Sequence, residues 1–126
     1  MSSSYFAAPL AGKPFSGSVS IPGSKSLTNR EILLSAIANG TSVLHKPLVS
    51  RDSQLMIDAI KALGAEVVQT DHSLEITHAS LDQTTTIQCG LAGTVMRFVP
   101  LLATLNKGDV RFEADKEALE RPLDGV

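Results

Sequence analysis

The sequence has little of what several large classes of protein require. It has one cysteine, Cys89, which excludes an intrachain disulfide and fits a reducing compartment. It has no tryptophan, one tyrosine and four phenylalanines, too few rings for a platform that stacks on nucleic-acid bases. Its eleven basic and thirteen acidic residues are well mixed, so no basic stripe is available for a phosphate backbone. These features disfavour a disulfide-stabilised secreted domain and a nucleic-acid-binding protein.

Long apolar runs are also absent. No stretch approaches the roughly 18 apolar residues of a membrane-spanning helix, and the start of the chain lacks the basic segment and apolar core of a signal peptide. Hydrophobic residues make up 43% of the 126 residues, which is enough for one folded domain with a buried core. We expect a soluble cytoplasmic protein.

The periodicity of apolar residues predicts an α/β chain that begins with the order β-α-β-α-β-β. The predicted elements are a strand at 17–21, a helix at 24–38, a strand at 41–47, a helix at 50–64 and a strand pair at 65–70 and 73–79. The predicted buried faces are Leu33, Ala36 and Ile37 on the first helix and Met56, Ala59, Ile60 and Leu63 on the second.

The same order begins again after residue 80. The prediction is a strand at 84–89, an almost wholly apolar and therefore buried helix at 91–105, a strand at 108–114 and a helix capped by Asp115. Corresponding elements lie about 67 residues apart, a spacing that indicates a repeat, with coincidence in a generic α/β chain as the alternative. We interpret the chain as a segment 1–16, a complete βαβαββ unit 17–80 and an incomplete unit 81–126. We therefore expect a piece of a longer protein.

The stretch Gly23-Ser24-Lys25-Ser26 raises a question of charge. A cation is disfavoured at a helix N-terminus, which already carries about half a positive charge, yet Lys25 lies in the first turn. The glycine spacing does not match a P-loop, but a turn that delivers backbone N–H groups, hydroxyls and an ammonium to one point suits a phosphate. Arg30 reaches the same region. Either both cations are solvated, or an anionic ligand binds at the helix start.

A second candidate site precedes the third helix. Gly90 and Gly93 allow close approach to the backbone at the helix start, and Thr94 supplies a hydroxyl in its first turn. Arg97 is the lone charge in this apolar helix, and a structural ion pair is predicted for it. Cys89 is interpreted as a small core residue rather than a nucleophile.

Arg121 and the three histidines are weaker candidates for a binding or metal site. Arg121 precedes Pro122, and we expect its guanidinium to project from a bend. His45, His72 and His78 lack the spacing of metal ligands, so no metal is expected.

Four stretches, in this order and spacing, resemble the EPSP synthase (3-phosphoshikimate 1-carboxyvinyltransferase) family of enolpyruvyl transferases. They are "PGSKSLTNREILLSAIANGTSVL", "SRDSQLMIDAIKALGAEV", "GLAGTVMRF" and "ERPL". The resemblance runs from Gly17 to Val126, and its first stretch is the most specific. It implies a two-domain inside-out α/β barrel in which each domain has three βαβαββ units. This chain would be the N-terminal part, with 1–16 near the hinge between the domains.

The resemblance also implies a reaction. The family transfers the enolpyruvyl group of phosphoenolpyruvate to the 5-hydroxyl of shikimate 3-phosphate, a step of chorismate and aromatic amino-acid biosynthesis, and it uses no cofactor. The full enzyme would be a monomer with its acid–base groups on the second domain. The 126-residue chain alone is expected to be inactive and to self-associate.

Site residues follow from the matching positions. The resemblance assigns Lys25, Ser26 and Arg30 to shikimate 3-phosphate. It assigns Lys25, Gly93 and Arg121 to phosphoenolpyruvate, with Lys25 as the candidate catalytic residue. The family often has asparagine where this chain has Leu91 and proline where it has Phe98, so glyphosate sensitivity does not follow from the resemblance.

Two other functions stay open. One is a relative of UDP-N-acetylglucosamine enolpyruvyl transferase, although Lys25-Ser26 with Arg30 favours the shikimate enzyme. The other is a stand-alone anion-binding module without chemistry of its own. A module is expected to end at a complete unit.

Overall fold

The computed structural model describes residues 6–120. Within this range the helices are α1 (Lys25–Ile37), α2 (Arg51–Ala62), α3 (Gly93–Ala103) and α4 (Lys116–Leu119). The strands are β1 (Thr41–His45), β2 (Glu66–Gln69), β3 (Ser73–Thr77), β4 (Thr85–Gly90) and β5 (Val110–Ala114). The mixed α/β class predicted from the sequence is confirmed.

Residues 17–21 do not form the predicted strand. Val19 and Ile21 are 83% and 84% exposed, and no strand of residues 6–120 pairs with this segment. Alternating small and β-branched residues favour extended backbone, but a strand persists only where a neighbour satisfies its N–H and C=O groups. The helix after it begins as predicted, because the Ser24 hydroxyl accepts a hydrogen bond from the backbone N–H of Leu27 at 3.4 Å.

Local sequence sets both ends of α2. The Ser50 hydroxyl accepts from the backbone N–H of Ser53, and the Ser53 hydroxyl accepts from the backbone N–H of Ser50, which is a reciprocal cap. After the last turn, Gly64 has φ +95°, and a Cβ on it would collide with the hydroxyl of Ser80. The start and the stop predicted for this helix are confirmed.

The strands form two separate sheets. β3 pairs antiparallel with β1 and with β2, so the first sheet has the order β1-β3-β2, with Leu74 opposite Leu44. The hairpin predicted around Asp71-His72 joins β2 to β3. β4 and β5 form a parallel pair, which requires a crossover, and α3 supplies it. The second sheet therefore fixes the start of α3 at the carboxyl end of β4.

The core lies around α2, which contacts α1, α3, β2 and β4. Its predicted buried residues Met56, Ala59, Ile60 and Leu63 are all at most 2% exposed. The prediction for α1 is partly wrong. Ala36 is buried, but Ile37 is half-exposed and Ile32 occupies the core instead.

The buried face of α1 is more polar than the hydrophobic pattern indicated. Thr28, Asn29 and Ser35 are buried beside Ile32 and Ala36. A hydrophobicity pattern cannot detect a face on which polar groups are buried and hydrogen-bonded.

The third helix is also less buried than predicted. Val95, Val99 and Leu102 face the core, whereas Leu101 and the following Leu105 are exposed. No helix within residues 6–120 is both long and apolar enough to cross a membrane.

Cys89 is a core residue, as predicted. It lies on β4, is 1% exposed, and lines an apolar cavity with Met96, Pro100 and Phe112. Burial raises the pKa of its thiol above the ordinary value of 9.0, because the thiolate is poorly solvated there.

The raised pKa predicts a loss of stability in alkali. Above pH 9.0 the unfolded chain releases the thiol proton before the folded chain does, so the free energy of unfolding falls as pH rises. Denaturant unfolding at pH 7.5 and 9.5 under reducing conditions measures this loss. A Cys89→Ala variant should lose less stability between the two pH values. An equal loss in both proteins would contradict the assignment to Cys89.

Candidate functional site

Three helices begin at the same end of the molecule. Lys25, the first residue of α1, has its Nζ 2.9 Å from Oδ2 of Asp52 in the first turn of α2. Asn29 of α1 donates from Nδ2 to Oγ1 of Thr94 in the first turn of α3, at 2.7 Å. Each helix start carries a partial positive charge from the helix dipole, so their convergence produces a region of positive potential.

Asp52 provides an anionic partner for Lys25, a cation in the first turn of a helix, where positive charge is disfavoured. An anionic side chain of the same chain faces the ammonium, with 51% of the Lys25 side chain and 28% of the Asp52 side chain exposed. An exposed pair of this kind contributes about 0.2–1 kcal/mol to stability. The ammonium has two further donors, and Ser26 is exposed on the same turn. Lys25 can therefore bind a second anion while it contacts Asp52.

Arg30 lies against an aromatic ring of α3. Its guanidinium carbon is 5.6 Å from the centroid of Phe98, within the range of a cation–π interaction. Arg30 is exposed, and none of the ion pairs within residues 6–120 includes it. Its N–H donors are therefore available to a ligand.

The start of α3 has no side chain as a cap. Ala92 occupies the N-cap position, makes no side-chain hydrogen bond, and is followed by Gly93. The first turn contains no acidic residue. A helix start with uncapped N–H groups and no negative side chain is suited to an anion.

Arg97 does not form the predicted buried ion pair. It is exposed, and it takes part in none of the ion pairs of the described residues. Its Nη1 lies 3.5 Å from where a Cβ on Gly93 would be. The side chain thus turns back toward the helix start, because its long apolar stem allows the charged end to reach water.

Asn29 was not identified from the sequence. It is fully buried, and its Oδ1 has no hydrogen-bond partner although Nδ2 is bonded to Thr94. The Asn29 amide thus joins α1 to α3 near the end of the molecule where both helices begin. The available signal was its position on one helix face with Ile32 and Ala36, three and seven residues later.

A further ion pair, between Arg51 and Asp115, lies at the same end of the molecule. Nη2 of Arg51, the first residue of α2, lies 3.2 Å from Oδ2 of Asp115, which precedes α4. Gly90 makes the close approach possible, because it has φ +52° and a Cβ there would be 3.4 Å from the same nitrogen. Arg121, assigned to phosphoenolpyruvate by resemblance, lies outside the described residues.

The histidines do not gather into a metal site. Within residues 6–120 no three or more His, Cys, Asp or Glu side chains are placed to share a metal ion.

Comparison with known proteins gives a consistent result. A family model described as EPSP synthase (3-phosphoshikimate 1-carboxyvinyltransferase) matches residues 10–126. Curated proteins named 3-phosphoshikimate 1-carboxyvinyltransferase are similar to the chain. The one from Kocuria rhizophila is 46% identical over 91% of this chain and 28% of its own length. The one from Tropheryma whipplei is 39% identical over 86% of this chain and 30% of its own length.

Solved structures agree with the sequence matches. EPSP synthase from Acinetobacter baumannii superposes with a TM-score of 0.72 and 25% identity over 86% of this chain and 26% of that chain. The chain thus spans less than a third of the length of the relatives that it matches.

Proposed function

Because the chain belongs to the EPSP synthase family, we propose that it forms one wall of a substrate cleft in a 3-phosphoshikimate 1-carboxyvinyltransferase. The observation that carries the proposal is the convergence of three helix starts around Lys25, with exposed cations and an uncapped α3. The other wall and the acid–base groups belong to the part of the relatives' length that this chain does not span.

The first subsite, for shikimate 3-phosphate, consists of Lys25, Ser26 and Arg30. All three are exposed on the N-terminal half of α1, and Arg30 has no acidic partner among the described residues. An ammonium, a hydroxyl and a planar guanidinium together offer the donors that a phosphate or carboxylate accepts. Helix α1 also has no acidic residue in its first turn to repel the ligand.

The second subsite, for phosphoenolpyruvate, consists of Lys25, Gly93 and Arg121. The uncapped start of α3 supplies backbone N–H donors at Gly93, and the absence of a side chain there lets an anion approach the backbone. Arg97, beside Gly93, adds a positive charge to this subsite. Lys25 is common to both subsites and so lies between the two bound anions.

This arrangement addresses the main barrier of the reaction. The 5-hydroxyl oxygen loses its proton and forms a bond to C2 of phosphoenolpyruvate while the C2=C3 double bond opens and C3 gains a proton; phosphate then leaves C2 and C3 loses a proton, which restores the double bond. Two multiply charged anions must first be held together, and preorganised cations and helix starts offset their repulsion. Lys25 contributes by stabilising charge on both substrates rather than by transferring the proton.

The proposal is tested with a chimera. In it, this chain replaces the residues of the Kocuria rhizophila relative with which it aligns. We expect the 126-residue chain alone to release no phosphate from the two substrates and the chimera to release it. The relative without the aligned residues serves as the control.

Two other outcomes of this experiment would count against the proposal. Turnover by the chain alone would contradict the assignment of one wall. A folded chimera that binds both anions without turnover would instead favour the anion-binding module.

Several finer predictions rest on the same proposal. The division into 1–16, 17–80 and 81–126 is supported by spacing, since α1 and α3 begin 68 residues apart and β1 and β5 begin 69 residues apart. Residues 17–21 do not supply the first strand of the 17–80 unit, and the inside-out barrel stays a prediction. Self-association of the isolated chain is supported by the exposed Leu101 and Leu105. A cytoplasmic location and a monomeric full-length enzyme stay predictions.

A further inference from the structure

Phe98 lies on α3, and its ring contacts the side chain of Arg30 on α1. Its ring centroid is 5.6 Å from the guanidinium carbon of Arg30. Arg30, Leu33, Leu34 and Phe98 line one shallow apolar depression between the two helices. The ring thus provides a flat face in a groove whose other walls are aliphatic.

The position of the ring relative to Arg30 is fixed by a second contact. Thr94 and Phe98 are four residues apart and so lie on the same face of α3, while Asn29 and Arg30 are neighbours on α1. The 2.7 Å hydrogen bond from Asn29 to Thr94 therefore sets the spacing of the helices one turn from the ring. The ring is half-buried, which restricts its motion further.

An aromatic partner has a different effect from a carboxylate partner. Asp52 takes up one donor of Lys25 and offsets its charge. A ring face next to a guanidinium restricts its rotamers but leaves its N–H donors free and its charge intact. Restricting a side chain before binding lowers the entropy that is lost when the ligand arrives.

We propose that Phe98 is a positioning residue for shikimate 3-phosphate, acting through its cation–π contact with the Arg30 guanidinium. The inference rests on the proposed function, because it takes Arg30 as a ligand of the substrate anion. It adds that the strength of this subsite depends on a side chain of α3, the helix that also supplies Gly93.

Titration of the 126-residue chain with shikimate 3-phosphate, followed by NMR, tests the inference. Phe98→Leu keeps an apolar side chain but removes the ring, and we expect it to weaken binding about 2- to 5-fold. Phe98→Tyr keeps the ring and should retain the affinity. Val68→Ala removes an exposed apolar side chain from β2, away from both helices, and is the control.

A second measurement reports the geometry without ligand. The Arg30 side-chain protons should be shifted upfield by the ring in the free chain, and Phe98→Leu should abolish this shift. In an Arg30→Met background, Phe98→Leu should weaken binding no further, because the contact through which it acts is gone.

The outcomes separate the inference from the function. If Arg30→Met leaves the affinity unchanged, the proposed subsite is wrong and the inference falls with it. If Arg30→Met weakens binding but Phe98→Leu does not, only the inference is overturned. An equal effect of Phe98→Leu with and without Arg30 would also overturn it, since the ring would then act through packing alone.

Discussion

Replacing Lys25 by methionine is expected to lower the turnover of the chimera by about 10- to 150-fold. This range corresponds to one ionic hydrogen bond of about 1.5–3 kcal/mol. Methionine keeps the apolar stem and removes only the charge, and Lys25 is the one side chain assigned to both anions. We expect kcat to fall and the KM of each substrate to rise. Lys25 is proposed to stabilise both the bound anions and the charge that develops on the substrate during addition.

The stability of the Lys25→Met variant should change little. Its ion pair with Asp52 is exposed, so the free energy of unfolding should stay within about 1 kcal/mol of the parent value. Lys61→Met removes the same charge from the last turn of α2, away from the helix starts, and is the matched control. Near-normal turnover of Lys25→Met would mean that the lysine is only a solvated cation paired with Asp52.

Replacing Asn29 by alanine is expected to affect both stability and turnover. The variant loses the buried hydrogen bond to Thr94 and leaves space between α1 and α3, so the free energy of unfolding should fall by about 1–3 kcal/mol. Since the bond fixes Gly93 relative to Lys25, the two subsites should shift apart. A misplacement of about 1 Å costs up to about 100-fold in rate, and we expect a loss of about 10- to 100-fold.

Ser35→Ala is the control for Asn29→Ala. Ser35 is also buried on α1, but its hydroxyl donates to the backbone oxygen of Glu31 within the same helix and does not reach α3. Denaturant unfolding and steady-state kinetics of the two chimeras, at a temperature where both are folded, separate the effects. If both variants kept full turnover, the link between the helices would have no role in the site.

Much of the fold could be predicted because local signals determine it. The reciprocal Ser50–Ser53 cap and Gly64 fix α2, and regular apolar spacing marks its buried face. The strand at 17–21 was wrongly predicted for the opposite reason. Its alternation is a local property, whereas a strand depends on a partner that the described residues do not contain.

The site could be predicted only residue by residue. The sequence placed Lys25 and Arg30 at one helix start and Gly93 at another, but the contacts that bring the two starts together are tertiary. Nothing in a single sequence indicates that Asp52 faces Lys25 or that Phe98 lies next to Arg30.

Arg97 was wrongly predicted and Asn29 was overlooked for the same reason, because burial was inferred from residue type. Arg97 was given a buried ion pair because its neighbours are apolar, yet its long stem carries the charge to the surface. Asn29 was overlooked because it is polar, although it is fully buried. Residue type is therefore a poor guide to burial near the starts of α1 and α3.

The starts of α1, α2 and α3 are proposed to form one site for an anionic substrate. The most direct measurement is a titration of the isotopically labelled 126-residue chain with shikimate 3-phosphate, with shikimate as the control that lacks the phosphate. Backbone N–H signals of Lys25 and Ser26 in α1, Asp52 in α2, and Gly93 and Thr94 in α3 are expected to shift together with one binding constant, and shikimate is expected to shift them far less. Shifts confined to other residues, or equal shifts with both compounds, would contradict it.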